Sequence, residues 1–289
     1  MTPLARSYLF VPGNRPDRFD KACASGAHAV IVDLEDAVGV GEKALARKEV
    51  AAWLDPARPV VLRVNAVDTE WFLDDAALGA LAGVSAVMLP KTESADHVRL
   101  VADRLANRVP ILPLIESAKG FDASADIARA GSVQRLVFGS LDFQLDMGLE
   151  GDGEETLYFR SRLVLVSRLA GIQPPVDGVW TNIGDAEQLR AHTLRGRRLG
   201  FGGKLCIHPS QVAHVNACFR PSEDEVAWAK RVLEAVSLSK GSVVKVDGRM
   251  VDRPVILKAE QILDDSPAAS TTGPTVATTP RRPPARSQY

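Results

Sequence analysis

Short apolar runs and longer amphipathic segments alternate along the chain. Each of eight runs has the length and apolar character of a buried strand, and a pattern of helical period follows it. The eight runs cover residues 8–11, 29–32, 60–64, 86–89, 111–115, 136–138, 176–181 and 204–207. This order predicts repeated βα units, and eight units indicate an α/β fold of the closed (β/α)8 TIM barrel type.

Polar residues close several of these runs at intervals of 25 to 30 residues, at Glu35, Asn65, Lys91, Glu116 and Asp142. In a parallel barrel such positions meet at the rim formed by the carboxyl ends of the strands. Active sites of barrels of this type lie at that rim. We therefore expect the chemistry of the chain to lie among these side chains.

The C-terminal part of the chain follows a different pattern. An Asp-Gly pair between residues 243–246 and 249–251 predicts a hairpin, and residues 255–263 predict a short helix. From residue 264 the sequence is rich in Pro, Ser, Thr, Ala and Gly and then basic, with too few apolar residues to offset the entropy lost on ordering. We predict a barrel over residues 1–240, an extension over 241–263 and a flexible tail over 264–289.

Composition narrows the classes of partner. The 35 basic and 36 acidic residues give a net charge of -1, which provides no global attraction for nucleic acid or an anionic membrane. The three cysteines are odd in number and form no C-x-x-C pair, which favours a reduced, cytoplasmic setting. The start of the chain lacks the apolar segment of a signal peptide, and no apolar run is long enough to cross a bilayer.

Two carboxylates follow successive predicted strands, Glu116 after 111–115 and Asp142 after 136–138. If these strands are parallel neighbours, both side chains lie on the same stretch of rim. Mg²⁺ takes few protein carboxylates and leaves its other positions to water and substrate oxygens. We therefore predict that Glu116 and Asp142 bind Mg²⁺. The alternative is that they cap the next helix or pair with a Lys or Arg.

Arg63 lies in a strand where alternation turns it to the inner face of the barrel. A buried arginine needs an anion, and its fork suits a carboxylate bound by two parallel hydrogen bonds. We favour a ligand carboxylate over an internal salt bridge with Asp33 or Glu35. The acids Asp33, Glu35 and Asp36 are interpreted as side chains that hold Arg63 rather than as metal ligands.

The loop after the first strand, V-P-G-N-R-P-D-R-F-D-K-A, places Arg15, Arg18 and Lys21 around a helix start. Cations at such a position can receive a phosphate, although the loop matches neither known glycine-rich phosphate motif. A solvated basic face is the alternative.

Three other features are open. Lys91 is interpreted as electrostatic or structural, because nothing nearby in sequence would remove its proton for Schiff-base chemistry. His208 either makes a structural hydrogen bond or contacts substrate. Residues 149–156 form an acidic, glycine-containing loop, which we predict to be mobile.

Taken together, several segments resemble the citrate lyase β-subunit-like family, which is related to malyl-CoA and citramalyl-CoA lyases within the HpcH/HpaI aldolase superfamily. The resemblance covers about residues 5 to 263. It rests on L-F-V-P-G-N-R-P-D-R-F-D-K-A, V-D-L-E-D-A-V, R-V-N, L-P-K-T-E, L-I-E-S-A-K-G, F-G-S-L-D-F, C-I-H-P-S-Q-V and G-R-M-V-D-R-P-V.

The resemblance implies a TIM barrel, commonly a homotrimer, that uses Mg²⁺ to make or break a carbon–carbon bond between an acyl thioester and a 2-oxo acid. It implies that Glu116 and Asp142 bind the metal and that Arg63 binds the carboxylate. It further implies that Asp252, on a C-terminal lid, reaches the site of a neighbouring subunit and transfers a proton. The resemblance also implies that three residues of the first loop bind the CoA phosphates: Asn14, Arg15 and Lys21. A CoA thioester and an acyl-carrier thioester are both compatible with these motifs.

Three alternatives remain at this point. The same barrel could hydrolyse the acyl-CoA as a thioesterase. It could act on pyruvate without CoA, but that chemistry usually uses a histidine near the first strands, where only His28 stands. The chain could also be a non-catalytic component of a lyase complex.

Overall fold

The computed structural model describes residues 4–106, 108–239 and 244–266. Eight parallel strands pair in chain order, and the last pairs with the first to close a barrel. The predicted (β/α)8 fold is therefore confirmed. The strands are β1 (Ser7–Pro12), β2 (Ala29–Asp33), β3 (Val60–Arg63), β4 (Val84–Leu89), β5 (Ile111–Ile115), β6 (Val137–Phe138), β7 (Val176–Asp177) and β8 (Gly203–Cys206).

Helices follow the strands along the chain. Where the sequence offers a cap the helix begins there: Ser94 accepts a hydrogen bond from the backbone N–H of His97 at the start of α4. The helices of this part are α1 (Phe19–Cys23), α2 (Lys43–Trp53), α3 (Phe72–Gly79), α4 (Ala95–Arg104), α5 (Ala118–Asp122), α6 (Ser124–Arg129), α7 (Ser140–Met147), α8 (Leu157–Ala170), α9 (Ala186–Leu199) and α10 (Pro209–Phe219).

The barrel has two apolar layers, because successive side chains of a strand point to opposite faces. One cluster contains buried strand residues alone, from all eight strands, and fills the interior; Ile31, Val61 and Leu114 belong to it. The other cluster, which includes Val32 and Leu62, packs the strands against the helices. Since the side-chain period is two, Asp33, Arg63 and Glu116 continue the inner rows at the carboxyl ends of their strands.

The seventh strand is shorter than predicted: it ends at Asp177, whereas the apolar run extends to Thr181. The reason is local. The carbonyl oxygen of Gly178 accepts a hydrogen bond from Nζ of Lys204 at 2.7 Å. The backbone of Gly178 also lies so close to Ser140 that an added Cβ would be 2.1 Å from its Oγ. Side-chain contacts therefore replace the ladder of the sheet at this position.

A buried charge network on the outer side of β7 and β8 was absent from the sequence interpretation. The guanidinium of Arg160 bonds Asp177 at 2.8 Å and Asp152 at 2.6 Å. Lys204 donates to Nδ1 of His192 at 2.8 Å, and Nε2 of His192 lies 2.6 Å from Asp152. Asp152 belongs to the acidic loop predicted to be mobile, and these bonds fix that loop to α8 and α9.

A second compact unit begins at Arg220 and contains α11 (Glu223–Leu238), β9 (Val244–Val246), β10 (Arg249–Val251) and α12 (Arg253–Asp264). Its own core consists of Ala229 and Val232 on α11 with Ala259 and Ile262 on α12. The hairpin and the helix are where the sequence predicts them. The predicted boundary at residue 240 places α11 in the barrel. In the structure α11 groups with the C-terminal elements instead, because its apolar stripe packs on α12.

The predicted tail is only partly covered, since residues 267–289 lie outside the described residues.

Over the ranges that the structure describes, the helices are too short or too polar to traverse a bilayer.

Candidate active site

A cavity of about 880 Å³ opens at the carboxyl-end rim of the barrel. Its walls come from segments that are far apart in sequence, because the closed sheet brings all strand ends to one rim. Polar and charged residues that line it are Arg15, Asp17, Arg18, Lys21, Asp33, Asp36, Arg63, Glu116, Ser140, Asp142 and His208. The structure thus brings most of the predicted site residues of the barrel to one cavity.

Glu116 directly follows β5 and is 5% exposed. Its Oε1 accepts a hydrogen bond of 2.6 Å from the backbone N–H of Lys91, and over the described residues Oε2 has no hydrogen-bond donor. Burial, assisted by the charges of Glu35 and Asp142, raises the pKa of Glu116 to about 8. Glu116 does not cap the next helix, because Ser117 accepts the N–H of Gly120 there.

Asp142 lies in the first turn of α7, four residues beyond the end of β6, rather than directly at a strand end. Strands β5 and β6 are parallel neighbours, so Glu116 and Asp142 both line the cavity. Within the described part of the chain Asp142 makes no hydrogen bond or ion pair. The alternative in which the two acids cap helices or pair with a Lys or Arg is therefore not what the structure shows.

The turn between β6 and α7 passes unusually close to Glu116. A Cβ on Gly139 would be 2.6 Å from Cβ and 2.7 Å from Oε2 of Glu116. Only glycine permits this approach without a shift of the carboxylate or the turn. Gly139 is thus a residue of the site that sequence reasoning missed, although its place before S-L-D marks the turn.

The Glu116 and Asp142 pair also borders a second cavity of about 530 Å³ on the side of Lys91 and Ser117. Among the residues described, no three or more His, Cys, Asp or Glu side chains are grouped to hold a metal ion. A pair of carboxylates facing open space is nonetheless the donor set that Mg²⁺ uses, with water and substrate oxygens in the other positions. The residues present fit that ion.

Arg63 ends β3 and is 8% exposed. Its Nε and Nη2 donate to the two oxygens of Asp33 at 2.7 and 2.6 Å, while Nη1 lies 2.9 Å from Glu35 and 3.4 Å from Asp36. Burial opposes the charge, but the three carboxylates outweigh that effect and raise the pKa of Arg63. The ring of Phe10 lies under the guanidinium, 4.8 Å away. Asp33, Glu35 and Asp36 thus contact Arg63 as expected. The two parallel bonds of the guanidinium go to Asp33, however, so the structure shows the internal salt bridge, the alternative that the sequence analysis ranked below a ligand carboxylate.

Lys91 connects the arginine cluster to Glu116. Its Nζ lies 3.0 Å from Glu35, and its backbone N–H bonds Glu116. It has a φ of 48°, a left-handed conformation that is rare outside glycine and asparagine. The backbone of Lys91 is therefore held in an unfavourable conformation that points its N–H at the carboxylate.

The first-strand loop is only partly turned to the cavity. Arg15, Arg18 and Lys21 line it, and Arg15 pairs with Asp17 at 2.9 Å. The amide of Asn14 instead donates to Glu42 at 2.9 Å, and Asn14 is not among the residues that line the cavity.

His208 lies in the first turn after β8 and lines the cavity. Its Nδ1 accepts the backbone N–H of Ser210 at 3.2 Å. This bond places the ring proton of the neutral imidazole on Nε2, so a donor is available on the other side of the ring. Both predicted uses of His208, a structural bond and a free face at the cavity, are compatible with this geometry.

Asp252 belongs to the second unit. Its carboxylate caps α12 by accepting the backbone N–H of Val255 at 3.2 Å. The predicted role of Asp252 at the site of a neighbouring subunit stays a prediction.

Comparison with known proteins decides the family. A model of the HpcH/HpaI aldolase/citrate lyase family matches residues 6–209. The chain belongs to this family. The resemblance read from the motifs is therefore confirmed.

Named relatives cover almost the whole chain. A citrate lyase subunit beta-like protein of Deinococcus radiodurans is 37% identical, over 90% of this chain and 96% of its own. A (3S)-malyl-CoA thioesterase of Cereibacter sphaeroides is 34% identical, over 93% and 96%. The crystal structure of CitE from Mycobacterium tuberculosis in complex with magnesium, acetoacetate and coenzyme A superposes with a TM-score of 0.82, at 34% identity over 92% of this chain and 99% of that one.

Proposed function

We propose that this member of the HpcH/HpaI aldolase/citrate lyase family is a Mg²⁺-dependent carbon–carbon lyase. It would cleave a 3-hydroxy-acyl thioester, such as malyl-, citramalyl- or citryl-CoA, to an acyl-CoA and a 2-oxo acid, or catalyse the reverse. The observation that carries the proposal is the pair Glu116 and Asp142, free of protein partners in the described ranges apart from the Lys91 N–H, in one cavity with Arg63. The magnesium, acetoacetate and coenzyme A of the M. tuberculosis CitE complex support it.

Glu116 and Asp142 would hold the ion. One oxygen of Glu116 is fixed by Lys91, which leaves Oε2 and the carboxylate of Asp142 without a protein donor among the described residues. Bound Mg²⁺ supplies Lewis acidity, which lowers the pKa of the substrate hydroxyl and polarises the carbonyl that replaces it. Glu116 and Asp142 themselves supply negative charge and orientation.

Arg63 would bind the carboxylate of the oxo-acid fragment. Asp33 holds the guanidinium by two parallel bonds, and Phe10 supports its plane, so the group is oriented before substrate arrives. A preoriented donor that does not need to reorganise stabilises the charge that develops as the bond breaks.

In the cleavage direction the hydroxyl releases its proton to water, and as the bond between the two fragments breaks, the hydroxyl oxygen becomes the carbonyl oxygen of the 2-oxo acid. The electron pair of that bond passes to the thioester fragment as an enolate, which takes up a proton at carbon. We assign the transfer of that proton to Asp252, after closure of the C-terminal segment of a neighbouring copy. The CoA phosphates would be bound by the Arg15 and Lys21 side of the first loop, with Asn14 supporting the loop through Glu42.

The test is a screen of the purified protein with Mg²⁺ against malyl-, citramalyl-, citryl- and hydroxymethylglutaryl-CoA, with mass analysis of the acid products. Release of a free 2-oxo acid supports a lyase. Release of the intact hydroxy acid supports the second candidate, a thioesterase, which the C. sphaeroides relatives favour. The CoA-independent aldolase is less well supported. The histidine that it would use, His28, precedes β2 and therefore lies at the opposite end of the barrel from the cavity.

A separate experiment tests whether the protein is a trimer in which each active site uses residues of two subunits. Light scattering should give about three times the 31.1 kDa of one chain. Co-expression of a Glu116→Gln chain with an Asp252→Ala chain should restore activity that neither variant has alone, because some sites combine an intact pair with an intact neighbour. Mixed oligomers without activity would contradict the assignment of Asp252.

A further inference from the structure

The three acids around Arg63 differ in how firmly they are held. Asp33 and Glu35 have side-chain exposures of 1% and 6%, whereas Asp36 is 60% exposed. Asp36 also makes the longest contact, 3.4 Å from its Oδ2 to Nη1. It is thus the least firmly bound partner of the arginine.

The other two acids cannot leave without breaking several further bonds. Both oxygens of Asp33 are engaged by Arg63, and they also accept the backbone N–H groups of Glu35 at 2.9 Å and Ala37 at 3.1 Å. Glu35 lies between two cations, 2.9 Å from Arg63 and 3.0 Å from Lys91. Displacement of either would leave buried charge without a partner, which is costly.

The backbone on both sides of Asp36 is anchored. Besides the two bonds to Asp33, the ammonium group of Lys43 donates to the carbonyl oxygens of Leu34 and Glu35, each at 2.7 Å. Movement of Asp36 is therefore limited to its side chain. That side chain and Arg63 line the same cavity, whereas Glu35 is not among the lining residues.

We propose that in the free protein the carboxylate of Asp36 occupies the position on Arg63 that a substrate carboxylate takes, and that the 2-oxo acid must displace it. The inference rests on the proposed function and adds a determinant of affinity to it. Simple anions gain little at Arg63, because each must replace a carboxylate that is already there. A ligand with a second anchor near Glu116 and Asp142 has further contacts that offset this cost, whereas Asp36 lowers the affinity of each carboxylate at Arg63 by a similar factor.

The test uses Asp36→Asn, which keeps the shape and removes the charge. In the presence of Mg²⁺, calorimetric titration should show pyruvate and acetate binding about three- to fivefold more tightly to the variant, as expected for loss of an exposed ion pair that competes with the ligand. In the synthesis direction KM for the oxo acid should fall by a similar factor, with kcat within about twofold. Asp122→Asn removes the same charge at an exposed position of α5, away from Arg63, and should leave both dissociation constants unchanged.

Weaker or unchanged binding to Asp36→Asn would overturn the inference, since Asp36 would then orient Arg63 or have no effect on it. An equal gain from Asp122→Asn would also overturn it, because general electrostatics would explain the change. Tighter acetate binding to Asp36→Asn in a protein that cleaves no thioester would support the inference and refute the lyase proposal.

Discussion

The affinity for Mg²⁺ should depend on pH through one carboxyl group, that of Glu116. Burial, with the nearby charges of Glu35 and Asp142, raises its pKa to about 8 in the metal-free protein. A carboxyl group must lose its proton to bind a hard cation, so below this pH Mg²⁺ has to displace a proton. The affinity should therefore rise with pH and level off above pH 8.

The size of the effect follows from that pKa. Glu116 is ionised in roughly 1% of the molecules at pH 6 and in half of them at pH 8. The apparent dissociation constant should thus be about 50-fold larger at pH 6 than at pH 8. At pH 7 about 0.9 proton should be released for each ion bound.

Isothermal titration calorimetry at pH 6, 7 and 8, in two buffers that differ in ionisation enthalpy, measures both quantities. Glu116→Gln should bind Mg²⁺ weakly and without this pH dependence, whereas Glu187→Gln, at an exposed position of α9, should behave as the unchanged protein. A dissociation constant that changes by less than about threefold between pH 6 and 8, with no proton release, would refute the reasoning.

The raised pKa of Glu116 also makes the stability of the metal-free protein depend on pH, in the opposite direction to the Mg²⁺ affinity. Between the ordinary value of 4.5 and about 8 the folded protein keeps a proton that the unfolded chain has lost. The free energy of unfolding should therefore fall as pH rises through this window, and Glu116→Gln should remove that part of the slope. Urea denaturation in the presence of a chelator measures it.

Three further substitutions test how the site and the barrel are held. Gly139→Ala should weaken Mg²⁺ binding about tenfold or more, since the added methyl group meets Glu116; Gly131→Ala, with open space around it, should not change the affinity. Arg160→Met should lower the free energy of unfolding in urea by about 3–5 kcal/mol, since it removes the guanidinium that pairs with Asp152 and with the buried carboxylate of Asp177. Arg168→Met, on the exposed face of the same helix, should cost under about 0.5 kcal/mol. Arg63→Ala should reduce kcat/KM about 100-fold or more with Mg²⁺ binding retained; near-normal turnover would exclude Arg63 from the reaction.

The sequence was sufficient to predict those parts of the fold that follow from the periodicity of apolar and polar residues. Strand rows of period two locate Arg63 on the inner face, and the same alternation carries Glu116 to the rim. Local caps were equally legible, because a cap depends on neighbours within one turn. Ser222 and Glu225, for example, have the three-residue spacing of a capping box, and both of its hydrogen bonds are present at the start of α11.

Features that depend on distant segments could not be read in this way. The network of Arg160 with Asp152 and Asp177 joins a loop, a helix and a strand, and no spacing in the sequence relates them. The left-handed backbone of Lys91 gives no composition signal either, because a lysine ordinarily avoids it. Contacts across the barrel thus decide both.

The acids at the rim differ in the protein groups that they contact rather than in residue type. Asp33 and Glu35 are bound by Arg63 and Lys91, so their charges are already balanced by protein groups. Glu116 and Asp142 face the cavity without an ion pair among the described residues, and burial, assisted by the charges of Glu35 and Asp142, raises the pKa of Glu116. With Mg²⁺ in place of the proton of Glu116, this part of the cavity would gain positive charge and favour an anionic oxo acid beside it. The same acids therefore favour binding of Mg²⁺ before the oxo acid in the proposed reaction.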